Sequence, residues 1–274
     1  MKYSPIGIND NLKRHNFDFK KKFGQNFIVD ENIIDNIVNK SEIKKDSLVI
    51  EVGPGSGSLT YKLCTKAKQV VCFEIDTTLK EILEEGLSEF NNVDIIYQDF
   101  LKADLKAVLK KYNYKHLYLI ANLPYYITTP IITRLIEENI DIDKIVVMVQ
   151  KEVGSRFSAK PNTKDYGSLS IFLQYNFNIK KVMDVSRNVF MPRPNVDSIV
   201  VEFCKKERAK VKDLNSFYRL VRDSFVQKRK TLRNNLKNYN LNKIEEVLNK
   251  YGFDLNVRAE QLNIDVFIEI SNNL

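Results

Sequence analysis

The chain has 274 residues, 43% hydrophobic and 28% charged, with a net charge of +8, which suits one large α/β domain with a smaller appendage. No stretch approaches the roughly 20 apolar residues that span a bilayer, and Met1-Lys2-Tyr3-Ser4-Pro5 opens no secretory leader, so neither a membrane partner nor export is expected. Cys64, Cys72 and Cys204 show no CxxC or metal-ligand spacing, which fits a reduced, cytoplasmic protein without a metal.

Along the chain, Ile33, Ile34, Ile37 and Val38 mark one face of a short helix, with Asp30 as its cap. Leu48 to Val52 reads as the first strand, and Leu59 to Ala67 as the helix after a glycine loop. Val70 to Ile75 is the second strand and Thr78 to Leu87 its helix; Val93 to Tyr97 and Leu117 to Ala121 are strands three and four. Thr129 to Glu138 is helical, with Pro130 tolerated in the first turn, and Lys144 to Val149 is strand five. This alternation predicts a parallel sheet wrapped by helices.

The pattern changes after Tyr166. Gly167 to Tyr175 reads as helix, and Ile179 to Val185 and Ser198 to Phe203 flank the loop Phe190-Met191-Pro192-Arg193-Pro194 as an antiparallel pair closing the sheet edge. From Lys205 the signal is helical only, with Phe217, Leu220, Val221, Ser224 and Phe225 on one face and Ile244, Val247 and Leu248 on another. Residues 266–270 suggest a last helix. A boundary near 206 divides a domain at 1–205 from a helical domain at 206–274. Between Lys205 and Asn240 twelve Lys and Arg face three acids, a surplus of nine that exceeds the whole chain's +8. A nearly neutral domain thus carries a basic attachment, and a nucleic acid is its default partner.

The chemistry gathers at strand ends. In Glu51-Val52-Gly53-Pro54-Gly55-Ser56-Gly57, Gly53 and Gly55 let main chain approach a ligand, and a helix N-terminus follows. The dinucleotide fingerprint would need glycine where Ser58 stands, and a phosphate loop would need Gly-Lys-Ser/Thr. A ligand without phosphates fits better, and S-adenosylmethionine is the common one. Glu74, with Ile75 beside it, ends strand two, where an acid can accept both ribose hydroxyls. Asp99 can take an adenine amino group while Phe100 packs on the ring.

Asn122-Leu123-Pro124-Tyr125 ends strand four. Asn122 Oδ1 and the Leu123 carbonyl can each accept an N–H of an exocyclic base amine, which pushes that nitrogen toward tetrahedral geometry and aims its lone pair at a methyl donor. No general base is required, because the nitrogen becomes acidic after transfer. The base must be unpaired or flipped out. Tyr125 offers a stacking surface, and Phe190 is a candidate for the opposite face or else a core residue. His15 and His116 have no catalytic or metal-binding partners.

These residues resemble the small-subunit (16S) ribosomal RNA adenine N6,N6-dimethyltransferase family, the enzymes giving kasugamycin sensitivity. The resemblance covers nearly the whole chain. Lys22-Phe23-Gly24-Gln25-Asn26-Phe27 matches the opening motif, and the glycine loop, Glu74, Asp99 and Asn122-Leu123-Pro124-Tyr125 follow in order. Residues 190–198 resemble its late loop, Gln227-Lys228-Arg229-Lys230-Thr231-Leu232-Arg233-Asn234 its basic helix, and Arg258-Ala259-Glu260-Gln261-Leu262 its terminal signature.

The resemblance implies a class I (Rossmann-like) α/β methyltransferase, with a seven-stranded, mostly parallel sheet, an antiparallel edge and a small C-terminal all-helical domain. It implies two methyls on each of two adjacent adenines near the 3′ end of 16S RNA, within the immature 30S subunit, by a monomer. Cofactor contacts carry over to Asn26, Ile28 (where Leu is usual), Gly53, Glu74, Asp99 and Asn122, with Gly55, Ile75 and Phe100 added from the strand-end reading. RNA contacts are expected at Lys228, Arg229, Lys230 and Arg233. The rivals are a resistance methyltransferase acting on 23S RNA, a largely non-catalytic assembly factor, and an NAD-dependent oxidoreductase, which the glycine spacing disfavours.

Overall fold

Six consecutive buried residues, Ser47–Val52, form β2 at the middle of the sheet, the pattern of a strand covered on both faces. The computed structural model describes residues 5–20, 23–124 and 126–274. In chain order the first elements are α1 (Pro5–Arg14), β1 (Phe27–Ile28), α2 (Glu31–Lys40), β2, α3 (Ser58–Cys64), β3 (Gln69–Phe73) and α4 (Lys80–Leu87). Then come β4 (Val93–Ile96), α5 (Leu105–Leu109), β5 (His116–Asn122), α6 (Thr128–Glu137), β6 (Lys144–Gln150), α7 (Lys151–Phe157) and α8 (Ser168–Asn176). The chain continues through β7 (Phe177–Val185), β8 (Phe190–Met191), β9 (Ser198–Lys205), α9 (Leu214–Ser224), α10 (Leu232–Asn235), α11 (Leu241–Lys250) and α12 (Ile264–Asn273).

The main sheet has seven strands in the order β4-β3-β2-β5-β6-β9-β7. The four pairings from β4 to β6 are parallel, and β9 runs antiparallel to β6 from Lys144↔Cys204 to Gln150↔Ser198. From β2 the chain moves outward through β3 and β4, then returns to place β5 on the other flank of β2. That reversal opens a crevice at the strands' carboxyl ends, the usual ligand position of such sheets. The expected class I sheet with its antiparallel edge is the sheet observed.

Helices cover the faces for local reasons. Asp30 accepts the main-chain N–H groups of Asn32 and Ile33 and so caps α2, whose Ile34, Ile37 and Val38 are buried against Val49, Val70 and Ile120. Ile8 and Leu12 of α1 bury with Leu79, Ile82 and Leu83. Just beyond α1, His15 Nε2 lies 2.8 Å from Glu85. No described helix is long and apolar enough to cross a membrane.

The chain divides into two compact units, residues 1–154 with 180–204 and residues 155–179 with 205–274. The sequence reading places one cut near 206, whereas 155–179 groups with the C-terminal helices. Three hydrogen bonds give the reason: Asn162 N–H to the Glu260 carbonyl (2.8 Å), Tyr166 OH to the Leu262 carbonyl (2.9 Å) and Tyr175 OH to the Ala209 carbonyl (2.7 Å). The helical unit has its own core, with Phe217 and Leu220 from α9, Ile244 and Leu248 from α11, and Phe267 and Ile270 from α12.

Candidate functional site

A cavity of about 280 Å³ opens at the carboxyl ends of β2, β3 and β5 and just after β4. Its walls are a strap of residues 23–28, the loop after β2, Glu74-Ile75, residues 98–101, and Asn122-Leu123-Pro124. Asn26, Ile28, Gly53, Gly55, Glu74, Ile75, Asp99, Phe100 and Asn122 therefore meet around one space, as the sequence reading places them.

Gly53, Gly55 and Gly57 all have positive φ, which glycine adopts without steric cost. Gly55 is also tight against the strap: a Cβ there would lie 2.7 Å from Phe27 Cε1. Its main-chain N–H donates to Glu74 Oε2 at 3.4 Å, and the Asp76 N–H donates to Oε1 at 2.8 Å. Glu74 is 4% exposed, and burial pushes its carboxyl up to about 7 against those two hydrogen bonds.

Glu51, which opens the glycine-loop motif and is given no role in the sequence reading, also lines the cavity. Burial pushes it up to about 8, against a hydrogen bond from the Cys72 thiol at 3.8 Å. The cavity thus holds two buried acids that keep their protons longer than ordinary carboxyls and whose ionised forms a nearby cation would stabilise. Cys64 and Cys72 are free and buried.

Asp99 turns its Oδ1 to the Leu101 N–H at 2.9 Å, which shapes the loop after β4. Phe100 is 3% exposed and stands edge-on to Phe73 at 5.1 Å between ring centres. Arg134 of α6 forks to the carbonyls of Phe100 and Ala103, and its guanidinium lies 5.8 Å from the Phe100 ring centre. Phe100 is therefore a fixed wall.

Asn122 ends β5, and its Nδ2 donates to the Asn26 carbonyl at 2.8 Å. That bond settles which end of the amide is which. Nδ2 is engaged by the strap, and Oδ1 has no donor among the described residues, so it remains an acceptor. Leu123 and Pro124 line the same wall, while Tyr125 lies outside the described residues. Tyr126, absent from the sequence reading, lines the cavity and is 62% exposed.

Phe190 is placed differently. β1 and β8 pair as Phe27↔Met191 and Ile28↔Phe190, forming a two-stranded sheet the apolar patterns do not announce. Phe190 is 5% exposed, packs in the cluster of Ile34, Ile37 and Val185, and does not line the cavity. It is a core residue, with no face free for a base.

The basic run also departs from expectation. Lys228, Arg229 and Lys230 lie on an exposed turn between α9 and α10, not on a helix. Asn235 holds that turn by accepting from Gln227 N–H (3.2 Å) and donating to the Ser224 carbonyl (2.8 Å). Side-chain bonds of this kind compete with helix continuation. Arg233, in α10, lies 3.9 Å from Glu245. Among the described residues no group of three or more His, Cys, Asp or Glu could hold a metal ion.

Known proteins are similar to this chain over nearly its whole length. The family model of ribosomal RNA adenine dimethylases matches residues 16–274. The ribosomal RNA small subunit methyltransferase A of Macrococcus caseolyticus (strain JCSC5402) is 47% identical, covering 99% of this chain and 95% of that protein. The Bacillus licheniformis protein of the same name is 46% identical, over 99% and 96%. Among solved structures, a dimethyladenosine transferase from Plasmodium falciparum superposes with a TM-score of 0.76 at 28% identity, covering 89% of this chain and 95% of that one. The 23S rRNA methyltransferase ErmE gives 0.71 at 25%, over 90% and 99%. A match this long, on a fold with its crevice in this place, identifies the chain as a member of the ribosomal RNA adenine dimethylase family.

Proposed function

We propose that this protein transfers methyl groups from S-adenosylmethionine to N6 of two adjacent adenines in the 3′-terminal hairpin of 16S RNA, dimethylating each during maturation of the 30S subunit. One observation carries the reading: Asn122 lines the cavity with its amide pinned through Nδ2, which leaves Oδ1 as its acceptor. Family membership and the full-length similarity to small-subunit methyltransferases support the choice of RNA.

The residues fit the cofactor. Bound there, it supplies an electrophilic methyl on a positively charged sulfur. Glu74 would accept the ribose hydroxyls, Asp99 the adenine amino group, and the glycine loop would let main chain close on the ligand. Asn26, Ile28, Ile75 and Phe100 would complete the enclosure, and buried Glu51 and Glu74 favour a cationic ligand. Asn122 Oδ1 and the Leu123 carbonyl would accept the two N6–H groups of the target and aim its lone pair. Positioning of this kind can supply roughly 7–11 kcal/mol of the barrier. Tyr125 would stack on the flipped base, and Lys228, Arg229, Lys230 and Arg233 would grip phosphates. A cytoplasmic monomer fits these roles.

The test is to methylate purified immature small subunits with labelled donor and map the modified bases. Two neighbouring N6,N6-dimethyladenines in the 3′-terminal hairpin are expected. Unmodified 23S RNA is offered in a parallel reaction: label there and none on small subunits would replace this reading with that of the 23S enzymes, and no label on either with that of an assembly factor.

A further inference from the structure

Asp76 lies two residues beyond Glu74, does not line the cavity, and is 2% exposed. Its carboxylate gathers donors from the strap and from the chain before it: Gln25 Nε2 reaches Oδ2 at 2.8 Å and Lys20 Nζ reaches Oδ1 at 2.5 Å. Gln25 is held at both ends, because its Oε1 accepts the Lys20 main-chain N–H at 2.7 Å. The next residue, Asn26, presents its carbonyl to Asn122 Nδ2. Meanwhile the main-chain N–H of Asp76 fixes Glu74 Oε1 at 2.8 Å. One residue outside the cavity is thus joined to the proposed ribose acceptor, to the strap and, through the strap, to the amide of Asn122.

We propose that Asp76 is a positioning residue for methyl transfer: through Gln25 and Lys20 it latches the 23–28 strap so that the Asn26 carbonyl holds Asn122 Oδ1 toward the target amine. The proposal rests on the reading of Asn122 given above. A simpler role, capping the turn at Thr77–Leu79, uses the Asp76 contacts to Thr78 N–H (3.2 Å) and Thr78 Oγ1 (2.6 Å), both made by Oδ1. It gives no reason for Oδ2 to meet Gln25 or for a lysine to be drawn in. Burial alone pushes the Asp76 carboxyl up, but the bonds from Lys20, Thr78 and Gln25 outweigh it and hold it below the usual range. The latch is therefore an anion, and its hydrogen bonds are charge-assisted, the stronger kind.

A rescue experiment separates latch from cap. Asp76→Asn turns Oδ2 into an NH2 group facing the NH2 group of Gln25, while Oδ1 can still cap Thr78. Adding Gln25→Glu restores a donor facing an acceptor and gives Lys20 an anion to pair with. Single-turnover transfer is read with saturating S-adenosylmethionine and immature small subunits. Asp76→Asn should slow it by on the order of tenfold to a hundredfold, the cost of a small misplacement of reacting groups, and the double variant should return to within about threefold. Lys20→Met should slow transfer where Lys20→Arg does not, which keeps the test open should Asp76→Asn fail to fold. An unchanged saturated rate in Asp76→Asn, or a double variant as slow as the single, overturns the latch. Asn122→Ala runs alongside: if it keeps full transfer, the reading of Asn122 falls, whereas a dead Asn122→Ala beside a normal Asp76→Asn overturns the latch alone.

Discussion

The side-chain amide of Asn122 and the main-chain carbonyl of Asn26 are joined by a 2.8 Å hydrogen bond. They are far apart in sequence, and the bond ties the end of β5 to the N-terminal strap. It makes the amide directional, with the donor end spent on the Asn26 carbonyl and the acceptor end without a donor among the described residues.

Asn122→Ala removes that acceptor without touching Glu74, Asp99 or the glycine loop. Transfer should fall at least about a hundredfold, as expected when reacting groups lose their alignment. Calorimetry with S-adenosylmethionine should show an affinity within a few-fold of the starting protein. A tritium-transfer assay showing normal turnover would remove Asn122 from the mechanism.

Glu51 and Glu74 set a pH dependence whose sign is fixed. Burial raises them to about 8 and about 7, from an ordinary glutamate value of about 4.3. Between the unfolded and folded values the native chain holds protons that the unfolded chain has lost, so stability falls as pH rises through that window. The slope is up to about 1.4 kcal/mol per pH unit for each group. Melting of the ligand-free protein should therefore drop from pH 5 to pH 8. The gain in melting temperature from S-adenosylmethionine should grow over the same range, because its positive charge favours the ionised acids. S-adenosylhomocysteine, without the sulfonium charge, should show a smaller growth. Glu51→Gln should flatten both curves, and curves that keep their full slope would move the effect to other groups.

Gly53 and Gly55 should differ in their response to alanine. Both have positive φ, costing on the order of 1–2 kcal/mol for a residue with a Cβ. At Gly53 nothing lies within 4 Å of the added atom, whereas at Gly55 it would meet the Phe27 ring at 2.7 Å. Gly55→Ala should displace the strap and abolish cofactor binding in calorimetry. Gly53→Ala should lose stability in denaturant melts by about the strain alone. The reverse ranking would mean that the strap is not closed on the loop in solution.

Replacing Lys228, Arg229 and Lys230 by glutamine should weaken RNA binding and flatten its salt dependence. Each phosphate that is no longer neutralised lowers the slope of log K against log salt by about 0.7–0.9. Arg233 already lies near Glu245, so Arg233→Gln should change the slope less. Filter binding across a salt series decides this, and an unaltered slope for the triple variant would place the phosphate-binding residues elsewhere.

The strand ends were legible because each combines a local apolar run with a polar residue of definite chemistry, as in Val70 to Ile75 or Leu117 to Asn122. Parallel strands buried on both faces announce themselves in this way. What stayed hidden depends on partners distant in sequence. Phe190 could not be assigned to the core without Ile28 opposite it, and the role of Gln25 needs Asp76 beside it. Residues 155–179 read as part of the first domain until Tyr166 meets Leu262. The family resemblance makes the basic run a helix, yet Asn235 bonds to Gln227 and Ser224 and ends the helix before it.

The ribbon formed by Phe27-Ile28 with Phe190-Met191 has a kinetic meaning for a chain made from its N-terminus. Phe27 is translated early, but its strand partner is synthesised only after most of the sheet. Long-range closures of this sort are slow steps in folding. A nascent chain can assemble the central strands and still lack a seated strap, so ligand affinity should arrive abruptly, once Met191 has cleared the ribosome and docked.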